Sequence, residues 1–297
     1  MICYIVEYME LSKIELKILQ QIANGTTDIK KIADNINRDI SRIYRIKNKL
    51  IEKDFIEFSR GRFKPKKITH ITLLLQLLIK HPNIIHLLSG SGIPILIELL
   101  HPKTVEEIKS NTGFKKSIIY KKIKQSIILS VVTPKEKHKY YINEKIWKEL
   151  KDFLVEYKKH EETTDLRIPA NSTIYYKNKK EIIFSNIADL DATRTGFSAY
   201  EKYGIKLLLT KNYYYLPKKT LTIQDILKHS LYITQKDKNI RNLTFICLFY
   251  LKNKNSLSSI KHPILNRIKQ ILKGKNIQGY PTLEEIKEKA EIYDIKI

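Results

Sequence analysis

Asp39-Ile-Ser-Arg-Ile-Tyr-Arg-Ile-Lys-Asn-Lys-Leu50, followed shortly by Phe55-Ile-Glu-Phe-Ser-Arg-Gly-Arg-Phe-Lys-Pro65, is the stretch from which the fold is read. Ile40, Ile43, Ile46 and Leu50 recur at offsets of three, three and four, which puts them on one side of a helix, and Asp39 stands where an N-cap belongs. The second stretch alternates apolar and polar residues around Gly61, the pattern of a β-hairpin with arginines at its turn. Upstream, Leu11, Ile14, Leu16, Ile18, Leu19 and Ile22 predict a helix that Gly25 stops. Ile29, Ile32 and Ala33 predict a short second helix, capped by Thr27 or Asp28 and ended by Asn35 to Asn37. Three short helices with a tight turn before the third make a helix-turn-helix, and the hairpin behind it makes a winged helix.

The layout returns about 76 residues further on. Ile93 to Leu100 reads as an apolar helix ended by His101-Pro102, and Thr104-Val-Glu-Glu107 as a capping box. Gly113 supplies the turn, and Phe114 to Ile128 the third helix, with Ile119, Ile123 and Ile127 along its buried side. Ser41-x-Ile43-Tyr44-Arg45 matches Ser117-x-Ile119-Tyr120-Lys121, an internal repeat. A second hairpin runs from Leu129 through Pro134 and His138 to Ile142. Trp147, Leu150, Phe153, Leu154 and Tyr157 predict a closing helix to His160, and residues 161–165 a linker. The expected fold class is mainly α with small β-hairpins (α+β): a winged helix at 1–69, linker helices and a second winged helix at 70–165, and an α+β domain at 166–297.

The stretch Thr104-Val-Glu-Glu-Ile-Lys-Ser-Asn-Thr-Gly-Phe-Lys-Lys-Ser-Ile-Ile-Tyr-Lys-Lys-Ile-Lys124 resembles the helix-turn-helix of the ArsR/MarR-type winged-helix regulators of bacteria and archaea. Lys124, Gln125 and Ser126, ahead of Ile127-Ile-Leu-Ser-Val-Val132, depart from the leucine-and-glycine helix end usual in the family. The resemblance implies a winged-helix fold and double-stranded DNA as partner. Composition agrees, because 55 basic against 31 acidic residues leave a net charge of +24, and such a field attracts polyanions. The excess is spread along the chain: 31 basic and 20 acidic residues through Asp165 give +11, and 24 against 11 in the remainder give +13.

A winged helix lays its third helix in the major groove, so the residues opposite the apolar stripe face base edges and phosphates. In the first unit these are Ser41, Arg42, Tyr44, Arg45 and Asn48. Arg pairs with guanine and Asn with adenine through two hydrogen bonds each, so Arg42, Arg45 and Asn48 are the expected base readers. Ser41 and Tyr44 are expected on phosphate. In the second unit the matching face holds Lys115, Lys116, Ser117, Tyr120, Lys121 and Gln125, and lysine grips backbone better than it discriminates bases. Arg60 and Arg62 in the first wing, and Lys135, Lys137 and Lys139 in the second, are placed to approach a minor groove.

Other function classes find little support. Two cysteines, Cys3 and Cys247, exclude a disulfide framework and a multi-cysteine zinc site, and suggest a reducing compartment. The start lacks a basic stretch before its apolar residues, and the apolar tract 71–100 is broken by Lys80, Pro82, Gly90, Gly92 and Pro94, so neither a signal peptide nor a membrane helix is expected. The expected location is the cytoplasm. His70, His81, His86 and His101 show no metal-ligand spacing, and Ser89-Gly-Ser-Gly92 lacks the Gly-Lys-Ser/Thr of a phosphate loop. No cofactor and no catalysis are expected. Asp189-x-Asp191 reads as a metal-binding pair or, with more reason, as a helix start.

Beyond Asp165 the sequence predicts a hairpin over 172–184, a helix from Ala192 to Tyr203, and a second hairpin pairing 205–210 with 213–216. Helices are predicted over 222–234, 239–251, 256–272 and 282–293, the last opened by a Thr282-x-x-Glu285 capping box. Tyr213-Tyr-Tyr215 reads as packing in a small sheet or as a stacking surface for unpaired bases. The pattern Thr193-x-Thr-Gly-Phe-Ser-Ala-Tyr-x-x-Tyr-Gly204 is similar to the domain behind the winged helix of AbiEi-type antitoxin regulators. The combined reading is a sequence-specific, homodimeric transcriptional regulator, its effector unknown, with a plasmid or viral replication initiator and an antitoxin-like regulator as the alternatives.

Overall fold

The computed structural model describes residues 9–136, 138–178 and 180–297. Two compact units part between Thr163 and Thr164. In the first, α1 (Lys13–Ala23), α2 (Ile29–Asn35) and α3 (Ile40–Glu52) lead into the hairpin β1 (Ile56–Ser59) and β2 (Arg62–Pro65). Local chemistry sets these ends: Ser12 and Glu15 form a reciprocal capping box at α1, and the Asp28 side chain accepts from the Lys30 and Lys31 N–H groups at α2. The hairpin turns at Arg60 and Gly61, both at positive φ, the type I′ geometry that suits strand twist. It is further tied to the start of α2, where the Phe63 N–H donates to the Thr27 carbonyl at 2.8 Å.

Next come α4 (Thr69–Lys80) and the short α5 (Ile85–Leu88). The sequel repeats the earlier order as α6 (Gly92–Glu98), α7 (Val105–Thr112), α8 (Lys116–Ile128), β3 (Val132–Lys135) and β4 (Lys139–Ile142), and α9 (Lys148–Thr163) closes the unit. The repeat is in register. Lys116 opens α8 seventy-six positions after Ile40 opens α3, and the same interval separates β3 from β1. It also relates Asp54 and Ser130, the two residues at positive φ behind the third helices, and the bonds Phe55 N–H to Leu50 O and Val131 N–H to Ser126 O. A single hydrophobic core runs through both copies, from Leu11 to Tyr157, with α4 packed on α1 and α9.

The second unit holds an antiparallel sheet of β5 (Thr173–Lys177), β6 (Ile182–Asn186), β7 (Thr193–Arg194) and β8 (Asn212–Leu216), in the order β5-β6-β8-β7. Alternation sorts its faces: Ile183, Tyr213 and Tyr215 enter the main core, while Ile182, Phe184 and Tyr214 form a small cluster behind. Helices α10 (Ile223–Lys236), α11 (Ile240–Lys252), α12 (Lys254–Leu257), α13 (Pro263–Ile271) and α14 (Leu283–Ile292) complete the main core. The α+β class is as the sequence predicts.

Several local expectations are corrected. The helix expected over 192–203 begins as the edge strand β7 and continues as a 3₁₀ helix, Gly196–Tyr203. Residues 205–210 form no strand, because β6 and β7 already occupy both edges of β8. The helix expected over 256–272 is broken, since Pro263 is tolerated only at a helix start; it sits at the first position of α13 behind the cap His262. The linker expected at 161–165 begins late: α9 continues to Thr163, with Glu161 buried on the stripe of Phe153, Leu154 and Tyr157. Asp191 starts no helix but pairs with Lys218. Tyr213, Tyr214 and Tyr215 are buried, which settles them as packing.

Candidate nucleic-acid interface

On α3 the stripe buried in the core is Ile43, Ile46 and Leu50; Ile40, expected with them, is 38% exposed at the rim of the first turn. Opposite the stripe, Ser41, Arg45 and Asn48 fall at i, i+4 and i+7 and so form one exposed line, flanked by Tyr44 and Arg42. Arg42, Arg45, Arg60 and Arg62 are exposed, and among the described residues none makes an ion pair. Their donors therefore stay open to an external acceptor.

Tyr44 is held in place more firmly than its exposure suggests. The Phe58 ring of the wing meets it edge-on at 6.3 Å, and Phe58 in turn meets the core residue Phe63 at 5.1 Å. The Lys47 ammonium lies over both outer rings, 5.1 Å from Tyr44 and 4.6 Å from Phe58. Wing and third helix are thereby braced against each other. Sequence reasoning passed over Lys47, whose only signal was its position one turn after Tyr44.

The second copy departs from the first in its chemistry. Lys115, Ser117, Tyr120 and Lys121 are exposed, as expected. Lys116 is paired with Glu106 on α7, a contact that raises its pKa through the hydrogen bond and the opposite charge. Gln125 does not stand free: it is partly buried, and its Oε1 is enclosed without a hydrogen-bond partner among the described residues. The buried stripe is Ile119, Ile123 and Ser126, so Ile127, expected within it, is 44% exposed at its edge. Tyr120 has no ring partner among the described residues, unlike Tyr44. Lys139 is half-buried and pairs with Lys135 beside the turn of the wing, Lys135 is exposed, and Lys137 lies outside the described residues, as does Cys3.

One residue escaped the sequence reading altogether. Lys122 turns inward, and its ammonium donates to the carbonyls of His86, Leu87 and Ser89 at 2.9, 3.0 and 2.8 Å. Burial lowers its pKa, with Lys121 adding to the effect. The carbonyls belong to the end of α5, so the lysine caps one helix from another and fixes how α8 sits in the unit.

Among the described residues no group of three or more His, Cys, Asp or Glu side chains is placed to hold a metal ion. Asp189 accepts from the Arg194 guanidinium at 3.1 Å and the Tyr214 hydroxyl at 3.2 Å, which holds its carboxyl below the ordinary range, the Arg194 bond first. No single described helix is long and apolar enough to cross a membrane; the apolar pair Thr69–Lys80 and Pro82–Leu88 is bent by 112° and contributes to the core. No curated protein and no solved structure matches the chain. Residues 7–73, which span the first three helices and their wing, match the model of the family described as sugar-specific transcriptional regulator TrmB, and on this likeness the first winged helix is of the kind that transcriptional regulators carry.

Proposed function

We propose that residues 9–163 bind double-stranded DNA through two winged helices in tandem, that α3 reads sequence, and that α8 anchors the complex on phosphate. The observation that carries this reading is the exposed line Ser41, Arg45 and Asn48 on α3, with Arg42 and Arg60 beside it and no internal partner for any of the arginines among the described residues. Guanidinium and amide groups offer paired hydrogen bonds to base edges, while the exposed ammonium groups of Lys115, just before α8, and Lys121 on it offer point charges. The recurrence of the whole helix and hairpin arrangement at an interval of 76 residues supports assigning both copies to one task.

The chain acts as a regulator without catalysis in this reading, and pairs with a second copy so that four third helices meet a palindromic site. Selection of bound duplexes from a random pool tests the proposal. An enriched motif with two-fold symmetry, and a light-scattering mass of twice 35.0 kDa, are the expected results. A pool that stays random at moderate salt would remove α3 as a reader of sequence.

A further inference from the structure

The second unit contains a cleft of about 370 Å³, a size that takes a small molecule. Its walls divide by chemistry. Phe197, Leu207 and Phe245 are among its apolar lining, and Lys211, Asp237 and Arg241 bring charge to it. Opposite charges that share a cleft would ordinarily close into an ion pair. Here they do not: neither Asp237 nor the two cations make a salt bridge among the described residues.

What occupies the charged groups leaves their main valences open. The Arg241 guanidinium reaches the Leu208 carbonyl with one nitrogen at 2.5 Å and stands 5.9 Å from the centre of the Phe245 ring. The Lys211 ammonium lies over Tyr175 and Tyr213 at 5.5 and 5.9 Å. Among the described residues, the Asp237 carboxylate accepts only a long bond, 3.5 Å, from the Asn239 amide. Both charges act on one landmark, the buried Tyr213: burial does most to raise its phenol, Tyr175 and Asp237 add to the rise, and Arg241 opposes it. Two cations and a carboxylate held apart over an apolar floor complement a molecule whose own opposite charges are held apart beside an apolar group.

We infer that this cleft binds an α-amino acid with an apolar side chain, its carboxylate received by Arg241 and Lys211, its ammonium by Asp237, and its side chain by Phe197, Leu207 and Phe245. A simple carboxylate would leave Asp237 facing an anion, and a simple amine would leave the two cations unmet. A neutral sugar would satisfy neither set as charged partners. The site lies wholly within residues 197–245, so the inference does not depend on how the first unit treats DNA.

Calorimetric titration of the full chain with L-leucine and with L-phenylalanine tests it, alongside 3-phenylpropanoate, phenethylamine and glucose. Saturable binding of at least one of the two amino acids is expected, weakened roughly tenfold or more in the analogues that lack one charge. Asp237→Asn and Arg241→Gln are each expected to weaken the amino acid by roughly tenfold or more. Asp237 is exposed, so its replacement by an isosteric amide leaves the fold intact and keeps the test decisive. The inference is overturned if neither amino acid binds at about ten times a millimolar Kd. It is equally overturned if 3-phenylpropanoate binds as well as L-phenylalanine, if glucose binds and the amino acids do not, or if Asp237→Asn changes nothing.

Discussion

Helices α3 and α8 have the same length and occupy equivalent places in the repeat, yet they differ in what their charged residues do. On α3 the arginines point outward without internal partners among the described residues, and the buried stripe is wholly apolar. On α8, Lys116 is joined to Glu106, and Lys122, seventy-six positions after the buried Ile46, stands where the first copy has isoleucine and donates to three carbonyls. The same scaffold thus carries one surface whose guanidinium groups have no internal ion-pair partner among the described residues and another whose cations partly hold the protein together. Equal counts of basic residues on two equivalently placed helices do not mean equal reach.

The comparison can be broken most forcefully through the shared core. Ile43→Ala should destabilise the first unit by about 2–5 kcal/mol, as large-to-small changes in a packed interior do. The single tryptophan, Trp147, belongs to the second copy, where it meets His81 at 4.6 Å, and its fluorescence should nonetheless report the loss in a denaturant titration. An unshifted Trp147 transition would mean that the two copies unfold separately. Lys122→Met should cost about 1–3 kcal/mol on the same probe, because three carbonyls lose their donor. A gain in stability would show that the apolar solution of the first copy suits the second equally well.

Arg45→Ala should lower the preference for the selected site over random duplex by about 1–3 kcal/mol, measured by competition. An unchanged ratio would erase the distinction drawn between α3 and α8. His70 offers a pH test of the first unit. Burial first, then the nearby His160, lowers its pKa from 6.5 to about 4, with Asp54 opposing. The neutral form is favoured in the folded state, so the stability from this group is complete above pH 6.5 and is lost as pH falls toward about 4. The slope in that window cannot exceed about 1.4 kcal/mol per pH unit for one proton, and His70→Phe should flatten it when Trp147 is followed. The smallest effect is expected of Lys121→Ala: uniformly weaker binding to all duplexes and a salt dependence flatter by roughly one unit of slope.

Much of the fold was legible because its signals are local. Capping boxes at Thr104 and Thr282, the Arg60-Gly61 turn and the buried isoleucines all act within a few residues of one another, and so did the match between Ser41-x-Ile-Tyr-Arg45 and its copy. The outward line on α3 was legible for the same reason, since a helix with three well-spaced buried residues leaves its opposite face determined. Misjudged positions lie at rims and edges. Ile40 and Ile127 sit beside their stripes, where burial depends on what neighbours cover, and residues 205–210 have the composition of a strand but no free edge to pair with.

By itself, then, the chain's order of residues determined the helices, their caps, the two hairpins and the interval at which they recur, because each arises from contacts only a few positions long. Which cations are available to a partner was decided by the tertiary structure. Lys122 finds its carbonyls 33 to 36 positions away. Lys116 finds Glu106 on the preceding helix. Arg241, at the start of α11, finds the Leu208 carbonyl 33 positions away. A charge takes its role from the groups that stand within a few ångströms of it, and for these residues those groups are brought near by packing alone.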